Sequence, residues 1–486
     1  MNKKITVNKE LNIGEALIPL LVVVALLSYN IFGAEGALFG EYSNQYILLF
    51  GGFVGLIMGL FNKVSIKQMV TEIKDNFHKT FGAILILALV GALAGTWLIS
   101  GIIPAMIYYG LQILSPSIFL PATVVIASLI SIATGSSWTT SATVGIALIG
   151  IGKAIGIPPG MIAGAVVSGA YFGDKMSPLS DTTNLAPAMA GTDIFTHIKY
   201  MMYTTFPSIF ITLIVFIILS FTVETSGATD ISDLLISLKT HFNISPYLFI
   251  VPGVVISLII FKTKPIVALI AGIVLASIFA LIFQADVVAS ITGSSSLDMK
   301  SALKGVTTAM WTDVSITTDN SILNDLFTSS GTLGMLWTIL LIMSALVFGG
   351  IMEAIGALAK ISSALLSIAD SVFGLFASTV VSCLAINLSA SDQYLAIVVP
   401  GKMFAKAYKD KGLAPENLSR TLEDTGTVTS ALIPWNTCGA YQASVLGVSV
   451  ESYFIYAVFN YVSPFMTLLF AALEIKIRRL DTPTEQ

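Results

Sequence analysis

The sequence predicts an all-α polytopic membrane protein of two inverted five-span repeats, each with a re-entrant hairpin and a broken helix. Three observations support this fold class. Of the 486 residues, 55% are hydrophobic and only 11% are charged, against roughly 25% charged residues in a soluble domain. Several apolar runs reach the roughly 20 residues that a helix needs to cross a bilayer. A pattern of glycine, proline and lysine residues also recurs at a fixed spacing in the second half.

Composition argues against several other classes of protein. The net charge of −4 comes without a basic patch, so we expect no nucleic acid partner. The two cysteines, Cys383 and Cys438, have no metal-ligand spacing, and a disulfide is not expected. The apolar run at 17–32 follows a lysine-rich start, as in a signal peptide, but no small-residue cleavage site follows it. We therefore predict a retained first span, no soluble domain and no cofactor.

Ten crossings are predicted in chain order. The first repeat, 1–223, has crossings at about 16–32, 46–61, 81–114, 160–190 and 195–221, the third with a break near Gly101. A polar linker at 224–246 joins the two repeats. The second repeat, 247–486, has crossings at about 247–261, 265–283, 333–359, 415–445 and 453–475, with a polar loop at 285–332.

Helix-breaking residues indicate the duplication. An offset of 256 pairs Gly145 with Gly401, Lys153 with Lys409, Gly156 with Gly412, Pro159 with Pro415, and Pro178 with Pro434. Membrane helices in general share leucine and alanine, whereas these matches are of glycine, proline and lysine. The sequence therefore predicts a repeat.

The lysine distribution favours an inverted repeat. Two further apolar stretches, 118–155 and 371–411, are either pairs of full crossings or hairpins that return to the same side. Full crossings would make the halves parallel and put the acidic 285–332 loop in the cytoplasm, against the positive-inside rule. Hairpins invert the halves and place 63–79, 402–411 and the basic C-terminal segment inside, with only Lys153 against the rule. Both termini are then cytoplasmic.

Four polar breaks interrupt this apolar chain. They are the hairpin tips at 135–140 and 389–392 and the helix breaks at 173–184 and 425–439. Irregular backbone at membrane depth must face protein or water, and its freed carbonyls and helix ends coordinate ions where the repeats of a transporter meet. Hard cations prefer such oxygen ligands. The candidate ion-binding residues are Gly135, Ser136, Ser137, Thr139, Asp174, Ser177, Ser180, Asp181, Thr182, Asn184, Ser389, Asp392, Asn436 and Thr437.

Carboxylates inside the membrane are the candidate proton carriers, since each tends to take up a proton or a cation. The candidates are Asp174, Asp181, Glu353 and Glu423. The first two also have structural alternatives: a fixed ion pair of Asp174 with Lys175 or with a basic residue elsewhere, and a helix cap by Asp181.

Three further residues or groups each have two interpretations. Asp392 is either an ion ligand or the N-cap of the following helix. Arg420 either pairs with Asp424 four residues on or holds the carboxylate of a substrate. The hydroxyls at 136–140 either cap the hairpin helices or bind the ion.

Three segments, 173–187, 134–143 and 418–426, closely resemble the NhaC-type sodium/proton antiporter family. The resemblance runs over nearly the whole chain. It implies exchange of Na⁺ for H⁺ across the bacterial plasma membrane, and it makes a homodimer an expectation. The same family includes exchangers of malate for lactate coupled to Na⁺ and H⁺, so it leaves the cargo open.

Two functions therefore compete. The first is a Na⁺/H⁺ antiporter that works by alternating access through a carboxylate. The second is a Na⁺- or H⁺-coupled transporter of organic acids or amino acids on the same scaffold. An enzyme is disfavoured, because the sequence contains no metal-ligand spacing and no nucleophile paired with a histidine. A channel fits inverted broken helices less well than alternating access does.

Overall fold

The computed structural model describes residues 11–34, 37–40, 42–222, 231–261, 263–294 and 298–480. Within these ranges the chain is mainly helical. The helices of the first half are α1 Ile13–Gly33, α2 Ser43–Phe61, α3 Ile66–Ile99, α4 Ile102–Ile113, α5 Pro116–Thr134, α6 Ser137–Thr140, α7 Ile146–Ala154, α8 Pro159–Met176, α9 Asp181–Ala190 and α10 Ile194–Thr222. A π-helical turn, Ser141–Gly145, joins α6 to α7.

The second half follows a similar order. Its helices are α11 Ile231–His241, α12 Ile250–Ile260, α13 Pro265–Phe283, α14 Ala285–Thr292, α15 Met299–Trp311, α16 Ser321–Leu326, α17 Gly331–Ala354, α18 Ala357–Ser367, α19 Val372–Ser389, α20 Gln393–Asp410, α21 Pro415–Leu422, α22 Thr437–Leu446, α23 Val450–Tyr453 and α24 Val458–Ala472. A π-helical turn, Glu423–Thr427, and a 3₁₀ turn, Val428–Leu432, follow α21. Two short strands, β1 Val314–Ser315 and β2 Thr328–Ser329, pair antiparallel.

The prediction of a polytopic helical membrane protein is confirmed. The described residues contain eight helices long and apolar enough to cross a bilayer, or ten if two bent helix pairs each count as one. Large apolar side chains such as Phe210, Phe221 and Ile282 are exposed on these helices, as expected for surfaces that face lipid. The eight include α5 and α19, which the sequence predicts as arms of the two hairpins.

Two predicted boundaries or loops are wrong, and part of the predicted linker is helical. The third predicted crossing belongs to α3, which begins at Ile66 rather than near residue 81. The predicted polar loop at 285–332 instead contains α14, α15, α16 and the β1–β2 pair, since short amphipathic helices resemble polar loops in sequence. In the predicted linker, 231–241 form α11, and 224–230 lie outside the described residues. The predicted break at Gly101 is confirmed by its φ of +77° between α3 and α4.

The offset of 256 also relates the helices. Adding 256 to the bounds of α5 gives those of α19 to within one residue, and adding it to the arm from α6 to α7 gives those of α20. In the same way α8 corresponds to the helical segment 415–432, and α9 corresponds to α22. Left-handed backbone recurs at the same offset, at Gly135 and Ser391, Gly156 and Gly412, and Gly191 and Gly447.

Candidate ion-binding site

Asp174 lies where the tip of the first hairpin meets the break after α8. Its Oδ2 accepts hydrogen bonds from the backbone N–H of Ser137 at 3.1 Å and from the Ser137 hydroxyl at 2.7 Å. Ser137 begins the second arm of the hairpin, so the positive end of a helix points at this carboxylate. Asp174 is 7% exposed and forms no ion pair within the described residues. The alternative of a fixed pair with Lys175 is therefore wrong.

The hairpin turn can reach the break because its first residue has no side chain. Gly135 has a φ of +67°, and a Cβ on it would lie 2.6 Å from the Cβ of Leu179. The Ser136 hydroxyl then accepts the N–H of Thr139 at 3.2 Å and caps the second arm. Gly135 and Ser136 thus shape the tip, and Thr139 is buried beside it.

The break itself is rich in polar side chains. The Ser177 hydroxyl donates to the Ile132 carbonyl of the hairpin at 2.8 Å. The Asn184 amide donates to two carbonyls of the break at 2.9 and 2.7 Å. The hydroxyls of Ser180 and Thr182 lie 3.1 Å apart, and Ser180 also faces Asp174. All these residues belong to the predicted ligand set.

Both helix breaks are shorter than predicted. Only residues 177–180 and 433–436 lack helical structure, because N-caps restart a helix directly after each break. The first N-cap is the Ser180 hydroxyl, which accepts the N–H of Thr183 at 3.4 Å. Asp181 is therefore the first residue of α9 and is exposed, and the alternative that it caps the helix is wrong.

A buried ion pair joins the two broken helices. The Lys175 ammonium donates to the Asp424 carboxylate, and both side chains are fully buried. Ser463 and Thr467 of α24 add hydroxyl donors to Asp424. Sequence reasoning missed this pair and assigned Lys175 to Asp174 and Asp424 to Arg420. The polar character of both residues in an apolar chain was the available signal, but nothing local identified the partners.

Glu423 lies beside this ion pair in the π-helical turn 423–427. It is fully buried, and neither carboxylate oxygen has a hydrogen-bond partner within the described residues. The hydroxyls of Thr182 and Thr427 face it, Lys175 attracts its negative charge and Asp174 repels it. Since π-helical turns occur frequently at functional sites, Glu423 stands out as a buried carboxylate without hydrogen bonds in the described part of the chain.

The tip of the second hairpin contains Asp392. Its Oδ1 accepts the N–H of Leu395 at 2.9 Å, so Asp392 is the N-cap of α20. Lys79 of α3 and Glu353 of α17 both act on it electrostatically. Glu353 therefore lies near the tip of the second hairpin.

Three other predicted residues lie where the second hairpin meets the second helix break. The Ser389 hydroxyl bonds to the Ala385 carbonyl of its own helix at 2.7 Å. The Asn436 amide donates to the side chain of Asn387 in the hairpin at 3.1 Å. The backbone N–H of Thr437 donates to the carbonyl of the hairpin turn at 3.0 Å. The bonds of Asn436 and Thr437 thus join the second break to the second hairpin, and the bond of Ser389 stays within its own helix.

Arg420 lies apart from both hairpin tips. It is fully buried in α21, about 20 Å of helix before the second break. Its guanidinium lies 4.7 Å from the ring of Tyr200 and 5.9 Å from those of Phe376 and Phe470. Since Asp424 pairs with Lys175, the salt bridge between Arg420 and Asp424 is wrong. Nε and Nη2 of Arg420 have no hydrogen-bond partner in the described part of the chain.

Two contacts between hairpin and broken helix recur in both halves at the offset of 256, and one more recurs with its donor shifted by two residues, to Trp435 from the equivalent position Ile433. In the first contact, Ser131 donates to the Ala170 carbonyl in the first half, and Asn387 donates to the Gly426 carbonyl in the second. In the second contact, Ser177 donates to the Ile132 carbonyl, and Trp435 donates to the Leu388 carbonyl. In the third contact, Ser137 donates to Asp174, and Ser430 donates to Gln393. The third contact differs chemically, since its carboxylate in the first half is replaced by a neutral hydroxyl in the second.

Two hairpins, two interrupted helices and buried carboxylates at their junction are the parts from which secondary transporters are built. The Na⁺/H⁺ antiporter family matches residues 169–475 of this chain. The chain is 38% identical to the Na⁺/H⁺ antiporter NhaC of Alkalihalophilus pseudofirmus, over 87% of this chain and 89% of that protein. It is 35% identical to the malate-2H⁺/Na⁺-lactate antiporter of Bacillus subtilis, over 95% and 93% of the two proteins. It is 33% identical to the arginine/ornithine antiporter ArcD of Halobacterium salinarum, over 95% and 92%.

The chain belongs to the Na⁺/H⁺ antiporter family. The resemblance that the sequence motifs carry is thereby confirmed. The names of these relatives state different exchanged solutes, although all three are similar to this chain over most of its length.

Proposed function

We propose that this protein exchanges Na⁺ for H⁺ across the bacterial plasma membrane, with Asp174 as the carboxylate that both ions occupy in turn. The observation that carries this proposal is the contact of Asp174 with Ser137. It joins the tip of a hairpin to an interrupted helix through one buried charge. A buried carboxylate is costly without a counter-charge, so it binds either a proton or a cation.

The residues around Asp174 supply the other oxygen ligands. Among the described residues, the hydrogen bonds that Asp174 accepts from Ser137 both go to Oδ2, and we propose that Oδ1 binds the ion. The hydroxyls of Ser180 and Thr182 lie 3.1 Å apart, and the negative charge of the exposed Asp181 acts on Asp174. We propose that Na⁺ arrives past Asp181 and Asn184, which are exposed. No resident cofactor and no enzymatic activity are part of this proposal, and a homodimer is an expectation from the family.

Helix directions support an inverted arrangement of the halves. Asp181, at the start of α9, acts on Tyr394 at the start of α20. Further along, a Cβ on Gly401 of α20 would lie 2.7 Å from the Cβ of Met189 in α9. The two helices therefore run in the same direction. α22 follows the second arm of the first hairpin in the same way: Tyr441 stacks on Trp138 with ring centroids 3.9 Å apart, and further along a Cβ on Gly145 would lie 2.9 Å from a methyl carbon of Leu446.

These directions support an arrangement in which the two hairpins open towards opposite sides. α7 leads from the first tip back to the start of α8, whereas α9 continues beyond the break for about 15 Å. Since α20 follows α9, it leaves the centre in the direction opposite to α7. The first tip reaches only the break, so each hairpin ends inside the protein although α5 and α19 are as long as full crossings. We propose two inverted five-span repeats on this basis.

The orientation can be measured by labelling from each side. In the proposed arrangement the lysine-rich turn at 402–411 is cytoplasmic, in agreement with the positive-inside rule. A single cysteine at Lys406, on a background without Cys383 and Cys438, is expected to react with an impermeant maleimide only in inside-out vesicles. A cysteine at Lys153 is the matched control and is expected to react only from the exterior. Reaction of both from the same side would contradict the inversion.

A second candidate function is exchange of a small organic acid coupled to these ions. The observation in its favour is Arg420, whose Nε and Nη2 are buried without partners. An arginine fork matches a carboxylate in geometry, and the name of one relative contains malate and lactate. The distance of Arg420 from the hairpin tips makes this the second choice.

Proteoliposomes containing a pH dye separate the two functions. We expect addition of Na⁺ alone to collapse an imposed proton gradient, since Asp174 needs no other solute to exchange ions. Organic-acid exchange predicts collapse only when Na⁺ is added together with malate, lactate or a similar acid. Liposomes without protein give the leak rate. An absolute requirement for an organic solute would overturn Na⁺/H⁺ antiport as the main activity.

A further inference from the structure

After α24 the chain folds back over the start of the second broken helix. Residues 474–480, which we call the C-terminal strap, lie against the turn that joins α20 to α21. The backbone N–H of Ala414 donates to the Arg478 carbonyl at 3.0 Å, and the N–H of Leu480 donates to the Gly412 carbonyl at 2.8 Å. The strap is therefore bonded to the point where the second hairpin ends and the second broken helix begins.

Side chains fix the strap to two helices. The Arg478 guanidinium pairs with the buried carboxylate of Glu416 in α21 at 2.7 Å, and the Asn417 amide donates to the Arg478 carbonyl at 2.6 Å. The Tyr200 hydroxyl of α10 contacts the Lys476 carbonyl and accepts the N–H of Arg478 at 3.1 Å. The strap thus ties the second broken helix to α10.

This closed conformation of the strap is strained. Glu474 and Lys476 have φ values of +51° and +49°, a left-handed backbone that residues other than glycine adopt only where their surroundings hold it. Such conformations cluster in segments that switch between states. Release of the strap would let both residues return to ordinary backbone angles.

The closed strap also covers a buried charge. Arg420 is fully buried, and its Nη1 reaches the Lys476 carbonyl at 3.5 Å. Nε and Nη2 have no hydrogen-bond partner in the described part of the chain. A buried charge without a counter-charge is unfavourable, and the rings around Arg420 offset this only in part. Lifting the strap would give the guanidinium access to water.

We propose that the C-terminal strap is an autoinhibitory latch: while it is closed it holds the second broken helix against α10, and exchange requires its release. The inference rests on the proposed ion exchange for its transport readout. Hydrogen bonds and the Glu416–Arg478 pair favour the closed strap, whereas the left-handed residues and the buried Arg420 favour the open one. An element with opposing contributions of this kind populates two states.

The latch acts on both halves of the protein. The helix that it holds continues into the π-helical turn 423–427, where Asp424 pairs with Lys175 of the first broken helix. Holding α21 therefore restrains both interrupted helices at the proposed ion site. A strap that serves only as a brace makes the opposite predictions for the variants below.

A reversible cross-link tests whether the strap must open. Leu413 and Arg479 face each other in an antiparallel bridge. The bonds on either side of them make a non-hydrogen-bonded pair, in which Cα atoms lie about 4.5 Å apart, within the range of a disulfide. On a background without Cys383 and Cys438, we expect oxidised Leu413→Cys/Arg479→Cys to exchange ions about tenfold more slowly in proteoliposomes, because gating motions limit turnover. Dithiothreitol should restore the rate.

A second pair of facing residues is the matched control for the cross-link. Ser315 and Thr328 lie opposite each other in the β1–β2 pair and are exposed. Oxidised Ser315→Cys/Thr328→Cys on the same background is expected to keep its exchange rate to within about 1.5-fold, as for surface changes in general.

Weakening the strap should have the opposite effect. Arg478→Gln removes the charge that pairs with Glu416 and keeps the backbone bonds. Since charge-assisted bonds are the strong ones, we expect the strap to open more often and the exchange rate to rise at least about twofold. Arg479→Gln is the matched control, because Arg479 pairs only with the exposed Glu474, at 3.8 Å, among the described residues, and exposed pairs contribute little.

Opening is also measured without transport. Ile477 of the strap packs against an apolar cluster that includes Phe376 and Leu418. In purified protein, Ile477→Cys should react with a maleimide at least about threefold faster when Arg478→Gln is added, since the open state is more populated. This readout covers the case in which the cross-linked variant fails to fold.

Three results would each overturn the latch. They are a normal exchange rate in the fully cross-linked Leu413→Cys/Arg479→Cys protein, an unchanged or slower rate in folded Arg478→Gln, and unchanged labelling of Ile477→Cys. Failure of the underlying function looks different, because the unlinked cysteine-free parent would then not exchange Na⁺ for H⁺. The labelling rates alone would then decide whether the latch exists.

Discussion

Asp174→Asn is expected to abolish exchange of Na⁺ for H⁺ while the protein remains folded. The amide oxygen of asparagine can still accept the N–H and hydroxyl of Ser137, so the hairpin tip keeps its contact with the break. What is lost is the negative charge. Two unit charges about 4 Å apart attract by about 4 kcal/mol at an effective dielectric constant of about 20. This energy corresponds to roughly a thousandfold in affinity for Na⁺.

The measurement is Na⁺-dependent collapse of a proton gradient in proteoliposomes, together with ²²Na⁺ binding. Asp181→Asn is the matched comparison, because Asp181 carries the same charge seven residues on but is exposed. We expect it to raise the Na⁺ concentration for half-maximal exchange and to leave measurable transport. Wild-type exchange by Asp174→Asn in protein with a native elution profile would remove Asp174 from the site.

Breaking the Lys175–Asp424 pair is expected to destabilise the protein more than removing the pair altogether. Either Lys175→Met or Asp424→Leu leaves one buried charge without its partner, which costs about 3–5 kcal/mol. The double variant buries no unpaired charge, and replacing a buried ion pair with apolar residues is often close to neutral. Thermal unfolding in detergent should therefore place the double variant nearer the wild type than either single variant.

An exposed ion pair provides the control for this cycle. Lys406 and Asp410 form an i,i+4 pair at 2.6 Å on the surface of α20, and exposed pairs contribute about 0–1 kcal/mol. Its single and double variants should all unfold close to the wild-type temperature. If the Lys175 and Asp424 effects simply add in the double variant, the two residues do not stabilise each other, and the link between the broken helices is absent.

Much of the fold can be predicted from local sequence patterns. The first hairpin was expected at 118–155, and its arms run from Pro116 to Ala154, since a glycine and serine turn between two apolar runs leaves few alternatives. Break lengths were overestimated, because Asp and Thr are as common in a capped first helical turn as in an unwound segment. The helices between 285 and 332 were missed because they are short and amphipathic.

The sequence by itself determined that this chain is a membrane protein, where its helices break, and which repeated motifs surround the breaks. These properties follow from hydrophobicity and from residues that cannot continue a helix, and both act over a few neighbouring positions. Only the tertiary structure decided which charges meet. Lys175 could pair with Asp174, Asp424 or Glu423 on chemistry alone, and Arg420 could pair with Asp424. The choice depends on how two helices from opposite halves of the chain cross, and this is set by packing among all their neighbours.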